Sequence, residues 1–410
     1  MKKFGLFMIL IVCLSGCQRS EVEVEKVSIP HNFINESITS IMEESTNQYA
    51  QEVVDEVTEE EKEVEVTSEE ESYLFYLEEG GRFELPVRGA TGYAAVGMSL
   101  HREADAGSTV IQTLNPGEGF TILEEVGEWW QVEVNDLGMT GWLQKRFTLI
   151  NLPDIIPSII YNNTNTYASL FRSSRVEIPN ITGVALYEGK DFNGRFEREE
   201  FIMPVLYGMA VKVNDAQQLA LADGNTLIIY EAFRPHDAHE VVYHHLSNLV
   251  STNPYVHAGV TAKTFTMGWF LAPSPYNHQR GTAIDVSLGS VDEWEIQTTG
   301  PYAFKHITAY TEYIMQTPMH ELSAQSALFY GPVNAHSTTA WHGANFLDIV
   351  TAETMQLIGY VTATGLTPLA SEWWHFNDIE STDFAIEIGV LGRFQIDRSH
   401  SVPPVLNVDE

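Results

Sequence analysis

The chain has 410 residues, with 22 Lys+Arg against 56 Asp+Glu and a formal net charge of −34. That balance excludes a nucleic-acid binder held by phosphate neutralisation, which needs a basic face. The length implies two or three folded units. The 44% hydrophobic content is ample for packed cores. No apolar run beyond the N-terminus approaches the roughly 20 residues that span a bilayer.

Met1-Lys2-Lys3, the apolar run from Phe4 to Leu14, and Ser15-Gly16-Cys17 read as a basic n-region, an h-region and a small-residue cleavage site, a signal peptide over residues 1–17. Both cysteines of the chain, Cys13 and Cys17, lie here, so the body can hold no disulfide framework. Leu14-Ser15-Gly16-Cys17 resembles the bacterial lipoprotein signal. The resemblance implies lipidation of Cys17 and a place on the extracytoplasmic face of the bacterial cell membrane. Several acyl chains would then hold the protein there, since one alone binds only marginally. The alternative is an ordinary secretory signal that happens to end in Cys.

Residues 18–80 hold 19 Asp+Glu and 3 Lys+Arg, a net charge of −16. Runs such as Glu59-Glu60-Glu61 and Glu69-Glu70-Glu71 repel one another, so this stretch is predicted to be a disordered acidic linker. Val53, Val54 and Val57 leave a transient helix as the alternative.

Over 84–150 short β-rich runs are separated by turns such as Asn115-Pro116-Gly117, which predicts a small all-β barrel. Gly127-Glu128-Trp129-Trp130-Gln131-Val132, followed by Gly141-Trp142-Leu143, resembles the strand pair of the bacterial Src-homology-3-type domain. That resemblance implies a cell-wall ligand; the alternative is a spacer whose tryptophans are core.

Residues 155–400 mix helix and strand periods without strict alternation, which predicts an α+β domain. Val205, Leu206, Met209, Val213, Ala216 and Ala220 mark one helix face, ending at Asp223-Gly224. Thr226–Phe233 reads as a buried strand, 236–248 as a helix, 281–288 as a strand, and 345–362 as a second long helix. The aromatic string Glu372–Phe376 enters a strand.

Three strings in this domain carry chemistry: His278-Gln279-Arg280-Gly281-Thr282-Ala283-Ile284-Asp285, Glu372-Trp373-Trp374-His375, and Glu231-Ala232-Phe233-Arg234-Pro235. Two His and one Asp can ligate zinc and leave a fourth position open. A separate Glu can move the proton of an attacking water, and an Arg can stabilise an oxyanion. The inventory alone is weak, because the chain has 14 His.

The full strings are more specific. His-x-x-Gly-x-Ala-x-Asp, followed by Glu-x-Trp-His some ninety residues on, resembles the zinc D-Ala-D-Ala dipeptidases of the vancomycin-resistance type. Glu231–Pro235, Thr317-Pro318-Met319-His320-Glu321-Leu322-Ser323 and Asp191-Phe192-Asn193-Gly194 fit in the same order. The resemblance implies Zn2+ on His278, Asp285 and His375, Glu372 as general base, and Arg234 as the oxyanion partner. Trp373 and Trp374 read as packing residues.

Two departures bear on specificity. Dipeptidases of this type usually carry an acid that pairs with the substrate's amino group; here that position is His320, and Glu321, one step later, is the substrate-binding acid expected in its place. Tyr276-Asn277 stands where the family often has Ser. Residues 162–182 look like an insert that could reshape the mouth of the site. His244-His245 do not read as a joint metal site, and His336 and His342 receive no role. The expected function is therefore a lipid-anchored zinc dipeptidase of cell-wall metabolism. The alternatives are a D,D-carboxypeptidase on peptidoglycan stem peptides and an inactive wall-binding lipoprotein.

Overall fold

The computed structural model describes residues 73–134 and 136–406. They lie in one compact unit, Glu65–Glu410. Cys17, the signal segment and the acidic stretch up to residue 72 fall outside the described residues. No helix among the described residues is long and apolar enough to cross a membrane.

The first half builds an antiparallel eight-stranded sheet. Its order is Pro204–Leu206, Thr148–Asn151, Thr91–Ala94, Gly119–Val126, Trp129–Val134, Met139–Gln144, Met98–His101, Val110–Leu114. Alternation along Trp129–Val134 sends Trp130, Val132 and Val134 into the core. The expected closed barrel is not formed. The strand Thr148–Asn151 instead gives its free edge to Pro204–Leu206, pairing Ile150 with Val205. Pro204–Leu206 leads directly into the helix Tyr207–Ala222. Trp130 meets the Tyr207 ring edge-on at 5.2 Å, so one core runs through both halves.

The second sheet runs Thr367–Leu369, Glu372–Asn377, Ala283–Thr299, Asn225–Glu231, Ile160–Tyr161, with Tyr302–Glu312 also paired to Ala283–Thr299. Every residue of Asn225–Glu231 is buried, the apolar Leu227–Tyr230 along with the polar Asn225, Thr226 and Glu231, as fits a central strand. The strand expected over 281–288 extends to Thr299 as one arm of a long hairpin.

Two helix expectations shift. Val205 and Leu206 belong to the edge strand, and the helix begins at Tyr207. The second long helix spans only Ala352–Ala363. Thr351 is its N-cap, accepting from the Thr354 N–H, while Leu347 upstream donates its N–H to Leu328 in a loop.

A buried guanidinium ties the halves together. Arg195 is 2% exposed and donates to the carbonyls of Asp154, Pro86 and Arg88. Burial brings it down to about 10, with Asp154 opposing. The carboxylate of Asp154 in turn accepts from Asn151, Asn193 and the Thr91 N–H. Arg195→Ala is expected to destabilise the chain by about 3–5 kcal/mol, the cost of leaving three buried carbonyls without their charged donor. Urea unfolding of both proteins measures it.

Candidate active site

Strand register assembles the centre of the site. Glu231 pairs across the sheet with Asp285, and Asp285 with His375. Cross-strand partners share a face, so the three side chains stand in one row. His278 comes from the one-turn helix Asn277–Arg280 just before the central strand. Gly281 ends that turn at φ +67°, and a Cβ there would lie 2.5 Å from Leu149. The turn therefore closes only because residue 281 has no side chain.

Outer hydrogen bonds set the tautomers of the two histidines. His278 Nδ1–H donates to the Ala232 carbonyl at 2.7 Å. His375 Nε2–H donates to Asn377 Oδ1 at 2.9 Å, and that oxygen also accepts from Asn277. Each ring is left with a lone pair facing inward. His278 Nε2 and His375 Nδ1 are 3.0 Å apart, and they lie 3.1 and 3.0 Å from Asp285 Oδ1. Three acceptors thus converge with no hydrogen among them. Only a cation, either a metal ion or an extra proton on one imidazole, makes that arrangement favourable. These residues form one of two buried groups able to hold a metal among the described residues.

The second group is Glu231, Asp285 and His320. Its cation is already present as Arg234. The guanidinium donates through Nε and Nη2 to Glu231 Oε2, and through Nη2 to Asp285 Oδ2 at 3.3 Å. Burial works against ionising Glu231, but Arg234 holds its carboxyl below the ordinary value. Arg234 Nη1 reaches His239 Nδ1 at 3.5 Å, while His239 Nε2–H donates to the Ala272 carbonyl. A guanidinium has five N–H groups, so one on Nη1 is left without a partner.

Glu372 begins the strand that carries His375, and its Oε2 lies 3.9 Å from His375 Nδ1. Its Oε1 is buried without a hydrogen-bond partner. Burial first, and then the Asp285 charge, push this carboxyl well above its ordinary range. The Trp373 indole donates to Thr317, the rings of Trp373 and Trp374 cross at 86°, and Trp374 meets the His320 ring edge-on at 6.0 Å, so both are buried packing residues.

His320 joins the cluster and Glu321 does not. His320 Nε2 lies 3.1 Å from Asp285 Oδ2, and Phe171 stacks on its ring at 4.4 Å. A carboxylate can only accept, so Nε2 carries the hydrogen and the buried Nδ1 keeps an unpartnered lone pair. Glu321 turns away to the insert. Its Oε1 accepts from the Ser174 N–H and the Ser323 hydroxyl, and its Oε2 from the Arg175 N–H. The insert thus reaches the site: the Arg172 N–H donates to the His320 carbonyl, and Phe171 covers the His320 ring. Tyr276 is half-buried, with its ring 6.0 Å from that of His375. Burial, and then Glu372, raise its phenol. His239 and Asn377 carry weight in the site that the motif strings do not mark. His244, His336 and His342 lie outside both groups.

A buried row of two His and one Asp beside an unpartnered Glu has the donor set of a metal-dependent hydrolase. Residues 205–388 match the family described as D-ala-D-ala dipeptidase, and residues 95–148 match the bacterial SH3 domain. The chain carries a bacterial SH3 domain followed by a peptidase domain of the D-ala-D-ala dipeptidase family. No curated protein matches the chain.

Two measurements test the geometry. Zinc added to the chelator-stripped chain is expected to raise its unfolding temperature, with stabilisation of about 2.7 kcal/mol at a hundredfold excess over Kd; in His375→Ala the zinc-dependent shift disappears. The second concerns His239, which burial and then Arg234 pull from 6.5 to about 4. Between these values the unfolded chain binds more protons than the folded one, so stability rises with pH. His239→Gln does not titrate, and denaturant unfolding near pH 4.5 and near pH 7 is expected to show a smaller difference than in the wild type.

Proposed function

We propose that the protein is a zinc peptidase hydrolysing D-Ala-D-Ala bonds in cell-wall peptides, anchored through lipidated Cys17 on the extracytoplasmic face of the membrane. The observation that carries the reading is the convergence of three proton-free acceptors, His278 Nε2, His375 Nδ1 and Asp285 Oδ1, beside the unpartnered Oε1 of Glu372. The D-ala-D-ala dipeptidase match over 205–388 supports the peptide class. The bacterial SH3 match supports a cell-wall location, and the Leu14–Cys17 string supports the anchor.

His278, Asp285 and His375 would hold the ion. When bound, zinc supplies Lewis acidity toward the scissile carbonyl. Glu372 takes a proton from the attacking water at Oε1 and returns it to the leaving nitrogen. Burial, and then the Asp285 charge, raise its affinity for a proton, which favours taking one from the water. Arg234 holds Asp285 and Glu231 in place, and its spare Nη1 hydrogen is the donor left for an oxyanion. Trp373 and Trp374, both buried, keep water from the strand that carries Glu372 and His375.

Glu372→Gln keeps the volume and all three ligands but cannot accept the proton. It is expected to bind zinc stoichiometrically and to lose about 10²–10⁴ in kcat, the usual weight of general base catalysis. Metal analysis paired with release of D-Ala checks this. Retained turnover would remove Glu372 from the base role.

A further inference from the structure

The substrate class follows from where the carboxylates of the site are already spent. A free dipeptide brings an α-ammonium one residue before the scissile bond, and in a buried site that charge needs a carboxylate partner. Glu231 Oε1 accepts from Asn165 and Tyr187, and its Oε2 accepts from Arg234. Asp285 Oδ1 faces the two imidazole lone pairs, and its Oδ2 is shared by Arg234 and His320. Both oxygens of Glu321 are taken by N–H and hydroxyl groups across the insert. Of these carboxylates Glu372 alone makes no hydrogen bond among the described residues, and an ammonium bound to it would occupy the base that the reaction uses.

Beside this carboxylate set stand one neutral acceptor and two cationic side chains, with Glu177 across the hairpin from Arg172. His320 Nδ1 is a buried lone pair, which can accept from an amide N–H without needing a charge on it. Arg172 and Arg175 stand beside the His320–Glu321 backbone, and neither makes an ion pair among the described residues. From this charge distribution we infer that the enzyme acts on peptides whose penultimate D-Ala nitrogen is acylated, and that it discriminates against the free dipeptide. The inference rests on the peptidase reading above and names the substrate of that same site.

The test uses two uncleavable phosphinate isosteres of D-Ala-D-Ala, one with a free amino group and one N-acetylated, titrated calorimetrically into the zinc-loaded chain. The acetylated isostere is expected to bind at least about 30-fold more tightly, the low end of the cost of an unpaired buried charge. Steady-state hydrolysis of acetyl-D-Ala-D-Ala against D-Ala-D-Ala is expected to show the same preference in kcat/KM. In Glu321→Gln the ratio of the two affinities is expected to stay unchanged. Equal binding, tighter binding of the free-amine isostere, or a ratio that changes in Glu321→Gln overturns the inference and leaves the peptidase reading standing. If neither isostere binds and neither peptide is cut, the peptidase reading falls and this one falls with it.

Discussion

The carboxylate of Asp285 is the point on which the site depends. One oxygen meets the inward lone pairs of His278 and His375, and the other receives Arg234 and His320. It is 1% exposed, and burial alone would raise its carboxyl; a positive charge on the His278 side, joined by the His320 N–H, holds it well below the ordinary carboxylate range. A buried charge with two groups on each oxygen has little freedom to rotate. Its position is also fixed by backbone, since Asp285 stands between Glu231 and His375 in register on the central strand. A slip of one residue in either pairing would turn a partner to the other face of the sheet.

That rigidity extends into the SH3 half. The edge strand Pro204–Leu206 belongs to the eight-stranded sheet, and the Leu206 N–H donates to the carbonyl of Gly281, three residues after His278. Leu149 fills the space where Gly281 lacks a side chain. The turn that presents His278 is thus packed on strands of the neighbouring module. The C-terminal segment adds a second tie. Phe394 stacks on Phe233, Tyr93 donates to the Arg398 carbonyl, and Thr121 donates to that of His400. Phe233 is next to Arg234, so the C-terminal segment is clamped between the SH3 sheet and the loop that carries the guanidinium. The SH3 module is therefore part of the scaffold of the site.

What could be read from residue order was whatever depends on local spacing. The helix after Pro204, the buried run read over 226–233, whose strand is Asn225–Glu231, and the strings around His278 and Glu372 carry their own period or motif. The barrel could not be judged that way, because Pro204–Leu206 reads as the start of a helix face and joins the sheet only through a pairing more than fifty residues away. The helix expected from 345 loses its first seven residues because Leu347 and Phe346 pack against Leu328 and Phe329, contacts with no local signature. His239 and Asn377 were missed for the same reason. They act by orienting Arg234 and His375, and no motif spacing marks a partner of a partner.

His320 and Glu321 show how one step along the chain separates two roles. At φ +60° the backbone of His320 is left-handed, which turns its ring toward Asp285 while the next side chain leaves in another direction. Glu321 then meets the hairpin of the insert, where Ser174 and Arg175 are also at positive φ and present two successive N–H groups to one carboxylate. Such paired N–H groups form a concave anion seat. With the carboxylate seated, Arg172 bonds the 320–322 backbone from both sides and brings Phe171 over His320. The insert therefore uses the acid that follows His320 as its clip. Phe171 in turn lies under the Arg234 guanidinium at 5.3 Å, so the same hairpin that removes Glu321 from the site helps hold Arg234 against Asp285.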